Sequence, residues 1–289
     1  MAFHGCAKNL AKTRIRGGKF DEFGKEVTIP STVLFCAQMC GVQSIRTTKT
    51  PPRGGKTAKL SKENMKQYIF EQTKLQLTEE MCKQLDVYCE FLASENQKYN
   101  LTAITEPSQV WEKHFADSML GAPFVPQNAT LCDVGSGAGF PALPLKILRP
   151  DIDVTLVDSL EKRINFTSTL CQKMGVVGTF IHSRAEDFAK THSQQFDVAT
   201  ARAVAPLNIL LEYTAQIVKI GGIVLAYKTD LQEVDLAKHA SDVLGLKFVA
   251  HHNFTLPSGA SRCLLVYKKV RPTPKQFPRG QNKPRKMPL

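Results

Sequence analysis

Apolar residues recur with two different periods in this chain, and one period gives way to the other near residue 127. From Ser61 to Pro126 the period is helical. Met81, Leu85, Tyr88 and Leu92 follow at spacings of four, three and four, which sets them on one helix face. Thr78 stands before Glu79 and Glu80, a capping hydroxyl followed by two acids at the positive end of the helix dipole. A polar loop around Asn100 follows. A second helix is predicted from about Pro107 to Leu120, with Val110, Trp111, Phe115 and Met119 on its apolar side and His114 among them. Pro123 and Pro126 close this helical part.

From Ala129 onward short apolar runs alternate with helical stretches. Strands are predicted at Leu131–Val134, Val154–Val157, Thr179–His182, Asp197–Thr200, Ile223–Tyr227, Leu246–Phe254 and Arg262–Lys268. Such alternation argues for a mostly parallel sheet with helices on both faces. No helical pattern separates the last two strands, so the sheet is expected to end in an antiparallel hairpin. The expected organisation is a disordered basic extension (1–59), a helical N-terminal cap (60–126), an α/β domain (127–269) and a basic C-terminal tail (270–289).

Charge sharpens this division. The 289 residues carry a net +12, but residues 1–59 hold +8, residues 268–289 hold +8, and the stretch between them holds −4. A mildly acidic body with basic ends is drawn to polyanions, nucleic acid being the commonest, although solvated tails that keep the protein soluble have the same composition. Residues 1–59 carry Gly17-Gly18, Pro51-Pro52 and Gly54-Gly55 and no sustained apolar period, so they read as disordered. No apolar run approaches the length of a bilayer span, and the chain does not open like a secretory signal. The eight cysteines read as reduced thiols in a chain too long to need staples. A cytoplasmic monomer is expected; a transit role for residues 1–59 would place it in an organelle instead.

The candidate chemistry centres on Asp133-Val134-Gly135-Ser136-Gly137-Ala138-Gly139-Phe140-Pro141, where a strand runs into a glycine-rich turn and then a helix. Two cofactor types use such a turn. A dinucleotide site wants G-x-G-x-x-G and sets a pyrophosphate on the helix N-terminus. Here the third glycine comes one residue early, and Asp133 would repel a pyrophosphate. The same carboxylate suits the amine of S-adenosylmethionine. Asp158, at the end of the next strand, can accept two ribose hydroxyls, and Arg184-Ala185-Glu186 follows the third strand where an adenine could be fixed. Together these features favour S-adenosylmethionine over a nicotinamide cofactor.

The region after the fourth strand bears on the methyl acceptor. Amine methyltransferases commonly carry an N/D-P-P-Y/F motif there, and cytosine-C5 enzymes need a cysteine nucleophile. This chain has Thr200-Ala201-Arg202-Ala203-Val204-Ala205-Pro206, with neither. An acceptor that needs no base is indicated, and guanine N7, a lone pair with no proton to remove, is one. A protein or small-molecule methyltransferase, another RNA substrate, and a non-catalytic RNA-binding module on a dead cofactor fold remain alternatives.

The chain from about Ser61 onward resembles the bacterial small-subunit rRNA guanine-N7 methyltransferases, the glucose-inhibited division protein B or methyltransferase G family. The resemblance rests on Asn100-Leu101-Thr102-Ala103-Ile104, His114-Phe115-Ala116-Asp117-Ser118 and the turn from Asp133 to Pro141. It continues through Val157-Asp158-Ser159, Arg184-Ala185-Glu186, Arg202-Ala203-Val204-Ala205-Pro206-Leu207, Ala226-Tyr227-Lys228 and Thr273-Pro274-Lys275-Gln276-Phe277-Pro278-Arg279. Phe277 stands where the family usually has Tyr, and Thr229 where it usually has Gly. The resemblance implies a Rossmann-like, seven-stranded class I methyltransferase fold with a helical cap. It also implies methyl transfer to N7 of a guanine in the 16S rRNA hairpin near the decoding centre, with small-subunit rRNA or a 30S precursor as partner.

The expected catalytic residues are Arg202, Arg184, His114 and Asn100. The expected cofactor residues are Asp133, Gly135, Gly137, Gly139, Phe140, Asp158, Ala185, Glu186 and Arg202. His114 could orient Asp117, three residues along one helix face. Arginines after strands can hold phosphate or the O6 edge of guanine bidentately, and Lys228 is a candidate phosphate contact. Each has a plainer reading: Asn100 as a helix cap, His114 as a core histidine, the arginines as surface ion pairs. No metal is expected, because Cys36 with Cys40, Cys82 with Cys89, and His251 with His252 find no matching second pair. Gly55-Lys56-Thr57 lacks the strand and earlier glycine of a phosphate-binding loop.

Overall fold

Local signals start the first helices in the computed structural model, which describes residues 61–289. The expectations for residues 1–59, including Cys36, Cys40 and Gly55-Lys56-Thr57, lie outside the described residues. Helix α1 (Lys62–Thr73) is capped by Ser61, whose hydroxyl accepts from the Asn64 amide, and is stopped by Lys74 in the left-handed region. Helix α2 (Glu79–Tyr99) is capped by Thr78, accepting from the Met81 amide. Its stripe residues Leu85, Tyr88 and Leu92 are buried.

The next helical segment, α3, departs from the regular helix that its periodicity predicts. It begins as Pro107–Val110, continues as a π-helical stretch Trp111–Ala116, and ends as Asp117–Met119. At the end of the wide turn the Asp117 amide donates to the carbonyls of Glu112 and His114, skipping that of Lys113. Such π turns occur frequently at functional sites. Here the skipped carbonyl is used by the site described below.

The sheet comprises β1 (Thr130–Val134), β2 (Asp153–Asp158), β3 (Thr179–His182), β4 (Phe196–Arg202), β5 (Val218–Lys228), β6 (Leu246–Thr255) and β7 (Ser261–Lys269). The strand order is β3-β2-β1-β4-β5-β7-β6. Pairing is parallel from β3 through β5, and β7 is antiparallel to both its neighbours. The seven predicted strands are all present, and the hairpin closes the sheet as expected. Strand β5 starts five residues earlier than its apolar run suggests, because Gly221 and Gly222 interrupt the pattern and the extra residues bulge from β5 opposite Phe196–Val198 of β4.

Helices α4 (Ala142–Leu148), α5 (Glu161–Met174), α6 (Ala185–Thr191) and α7 (Leu207–Ala215) make the crossovers, and α8 (Lys238–Leu244) leads into the hairpin. One continuous core joins cap residues such as Met65, Leu85 and Phe115 to sheet residues such as Leu131, Val154 and Leu225. The chain winds outward from β1 to β3 and returns to β4, so the switch point lies between the carboxyl ends of β1 and β4. Open α/β sheets bind ligands there.

Residues 270–289 are not a solvated arm. Lys269 is buried and donates to the Ala215 carbonyl and the Thr273 hydroxyl, and Thr273 donates to the Leu244 carbonyl at 2.8 Å. Phe277 is buried. Arg279 forks onto Glu212 of α7, its Nε 2.9 Å from Oε1 and its Nη2 2.7 Å from Oε2, while its backbone amide also donates to Oε1. Glu212 is wholly buried, so truncating its partner strands a carboxylate in the core. Arg279→Ala is expected to cost about 3 kcal/mol in urea unfolding, as for other broken buried pairs. A loss below about 0.5 kcal/mol would mean that the pair acts like a surface ion pair.

Candidate active site

At the carboxyl end of β1 the chain turns through Gly135, Gly137 and Gly139, all with positive φ. A Cβ on Gly135 would meet Val204 at 2.7 Å, and one on Gly139 would meet Leu143 at 2.6 Å. Protein packing requires those two. Gly137 has nothing within 4 Å of a Cβ, so the space above it is open. Its backbone amide donates to Asp158 Oδ2 at 2.9 Å, tying the turn to the end of β2.

Two buried polar atoms of this turn have no partner: Asp133 Oδ1 and the Ser136 hydroxyl. Asp133 is fully buried, and its other oxygen accepts from the Ala142 amide at 3.2 Å. Burial pushes its pKa well above the ordinary carboxylate range, against the pull of the Ala142 amide and of Arg202. An unpaired buried carboxyl oxygen is costly unless a donor reaches it. A cationic amine meets that need, so the residues present fit the amino-acid end of S-adenosylmethionine.

Beside the turn lies a cavity of about 210 Å³. Gly135, Asp158, Arg184, Ala185 and Glu186 line it, together with Val204. Asp158 is 3% exposed and already accepts from the amides of Gly137 and Leu160, with Arg163 at 3.4 Å. Each carboxylate oxygen has further lone-pair capacity, so ribose hydroxyls can still be accepted. Glu186 is buried at the start of α6, while Arg184 is exposed.

A second constellation is built on Arg202, the last residue of β4. Its Nη1 donates to the Lys113 carbonyl at 3.2 Å and to Asp117 Oδ2 at 3.0 Å, and its Nη2 donates to His114 Nδ1 at 3.1 Å. The Lys113 carbonyl is the one skipped in the π turn. Arginine only donates, so His114 Nδ1 is the acceptor, and Nε2 carries the proton toward the Thr102 hydroxyl at 2.8 Å. Burial and the neighbouring Arg202 charge lower the His114 pKa to about 3. The ring is neutral at any working pH. Guanidinium and imidazole both lie on the Phe140 ring, at 5.0 Å and 4.4 Å, and Phe140 stacks in turn on Tyr88.

The structure thus sorts the expected residues. Gly135, Asp158, Arg184, Ala185 and Glu186 meet at the cavity, and Arg202 meets His114. Phe140 is a buried platform under the arginine rather than part of the cavity lining. His114 does not orient Asp117; both hold Arg202. Asn100 closes α2 in the left-handed conformation, and its neighbour Thr102 reaches His114. Lys228 is committed to the Ala205 carbonyl and Glu233. Arg262 has no signal along the chain: it sits in the hairpin strand β7, and its Nε lies 3.1 Å from Asp117 Oδ1.

The family model for rRNA small subunit methyltransferase G matches residues 81–261. Similar relatives include ribosomal RNA small subunit methyltransferase G of Streptococcus suis (strain 05ZYH33), 44% identical over 74% of this chain and 94% of that protein. Another is the same-named protein of Streptococcus pyogenes serotype M12 (strain MGAS2096), 43% identical over 76% of this chain and 96% of that protein. The chain belongs to this family. It is an S-adenosylmethionine-dependent enzyme that methylates guanine N7 of 16S rRNA. A solved SAM dependent methyltransferase from Aquifex aeolicus aligns with a TM-score of 0.44 at 16% identity, over 62% of this chain and 98% of that one. The strand order, not that likeness, carries the fold. Among the described residues no helix is long and apolar enough to cross a membrane.

Within this methyltransferase the glycines make separable predictions. Gly137→Ala is expected to cost only about 1 kcal/mol for its positive φ, yet to weaken cofactor binding in calorimetry. Gly139→Ala should instead lower the unfolding midpoint, because its Cβ meets Leu143 and the Tyr88 hydroxyl. Equal cofactor affinity in Gly137→Ala and wild type would remove this residue from the site.

Proposed function

We propose that the enzyme acts on a guanine of the 16S rRNA hairpin near the decoding centre, and that Arg202 and Arg184 handle the acceptor while the Asp133–Gly139 turn, Asp158 and Ala185-Glu186 hold the cofactor. Bound S-adenosylmethionine supplies a sulfonium methyl, an electrophile that a ring lone pair can take without losing a proton. The observation that carries this reading is the composition of the acceptor side. It is built from a fully committed imidazole and a guanidinium, and none of the residues described there is a free base.

Arg202 spends three of its five N–H donors on Lys113, Asp117 and His114, which leaves two for substrate. They can reach guanine O6 beside N7 or a phosphate oxygen. Neutral His114 accepts one guanidinium proton and cannot take a second from the substrate. Asp117, between Arg202 and Arg262, sets the plane of the fork. Positioning and fixed charge then carry the catalysis. Paired RNA buries N7 in a deep, narrow groove, so the guanine is met unpaired or drawn out of its stack.

The same reading makes the protein a monomer that works where small subunits are assembled, the cytoplasm of a bacterial cell. Labelled methyl transfer to 30S particles lacking the mark, compared with naked rRNA, separates a particle substrate from free RNA. Reverse-transcription mapping of N7-methylguanine with and without the gene locates the base. A mark elsewhere than in that hairpin would overturn the assignment.

A further inference from the structure

The cavity beside Asp158 is completed by residues that lie far outside the α/β repeat. Asn282 and Arg285, from the segment after the last strand, line it together with Glu186 and Ser183. The segment has a firm foundation: Phe277 is buried and Arg279 is forked onto buried Glu212. From there the chain turns through Gln281 and Asn282, both with positive φ, into a short helical turn, α9 (Lys283–Lys286). Pro284, within this turn, is buried.

Arg285 Nη2 donates to the Val204 carbonyl at 3.0 Å. Val204 belongs to the loop that follows Arg202, and its side chain fills the space against Gly135. The preceding residue, Ala203, has φ of 57°, a conformation that a non-glycine residue keeps only when its surroundings hold it. One guanidinium therefore touches both the cavity and the loop after Arg202 that packs on the glycine turn. A solubility tail would have no reason to place it there.

We propose that Arg285, with Asn282 beside it, is a cofactor-contacting residue, and that the 279–289 segment forms the outer wall of the pocket around the adenosine of S-adenosylmethionine. The inference rests on the reading of that cavity as the cofactor pocket. Its ligand chemistry follows from the side chains. The wall faces Glu186 and Asp158, acceptors for an adenine amino group and for ribose hydroxyls. A planar guanidinium suits the face of a purine, as a lysine ammonium does not. The Asn282 amide can donate to or accept from the ring edge. Lys283 and Lys286, on the same turn, are exposed and do not line the cavity.

Calorimetry on the full chain tests this with S-adenosylhomocysteine and with methylthioadenosine, which lacks the amino-acid end. Arg285→Ala is expected to weaken both ligands by the same factor, roughly tenfold. A chain ending at Gly280, which keeps the Arg279–Glu212 anchor, should lose at least as much. Arg285→Lys should recover only part, and the double variant Lys283→Ala/Lys286→Ala should bind as wild type. In turnover the cofactor KM should rise more than kcat falls. Affinities within about twofold of wild type in both Arg285→Ala and the shortened chain would overturn the proposal while leaving the pocket reading intact. So would a loss seen only with S-adenosylhomocysteine, since that would place the contact at the amino-acid end. If wild type itself bound neither ligand, the pocket reading would fall and the inference with it.

Discussion

Arg202→Ala is expected to lower methyl transfer about a hundredfold, the order seen when one preorganised donor is removed from an active site. The side chain holds no cavity wall, so cofactor affinity should stay near wild type. Arg202→Lys should recover little. A lysine ammonium cannot span the Lys113 carbonyl, Asp117 and His114 while still offering donors to substrate. The pH profile gives an independent check. With cofactor saturating, single-turnover rates should be flat between about pH 6 and 9, because a histidine of pKa about 3 does not titrate in that window. A rise through neutral pH would reveal a titrating base and sink this mechanism.

Asp133→Asn is expected to weaken S-adenosylmethionine binding by about 3 kcal/mol, roughly a hundredfold, the loss typical of a buried charged pair cut at one end. The substitution is nearly isosteric, so the fold should survive. The sign of the pH effect follows from burial. In the free enzyme the Asp133 pKa is raised, so its proton stays on as pH climbs past the ordinary carboxylate value. Above that value the ionised group would destabilise the folded protein. A bound ammonium reverses this by favouring the carboxylate. Binding should therefore release protons, and the rise in Tm caused by cofactor should be larger at pH 7 than at pH 5, a range in which an α-amino group stays protonated. Equal Tm shifts at the two pH values, together with unchanged affinity in Asp133→Asn, would exclude the carboxylate as the amine's partner.

The two effects are separable because the structure keeps their residues on different supports. Asp133 belongs to the end of β1, and its environment is set by the glycine turn. Arg202 is held by the cap, through a carbonyl that only the π turn frees. A variant that restores regular helix in α3 would thus disturb Arg202 before it disturbed the cofactor.

Sequence alone determined what depends on neighbours along the chain. Alternating apolar runs set the strands, since each needs only its own period and the turns that bound it. Thr78 with two acids set a helix start, because a cap is satisfied within one turn. The spacing of Asp133, Gly135, Gly137 and Gly139, with Asp158 one strand later, was enough to choose S-adenosylmethionine over a dinucleotide. A strand, its turn and the next strand end form a local unit. The tertiary structure decided the rest. Arg262 reaches from β7 to Asp117 of the cap, a contact between residues far apart in the chain. Phe140 is a platform for Arg202 because its ring is met by Tyr88 and His114 from the cap. The basic tail, whose composition suits a nucleic-acid-binding arm and a solvated one alike, is fastened by a buried carboxylate on α7 that no nearby residue announces. Charge composition records how many positive groups a segment carries. Only packing determines which of them find a buried partner.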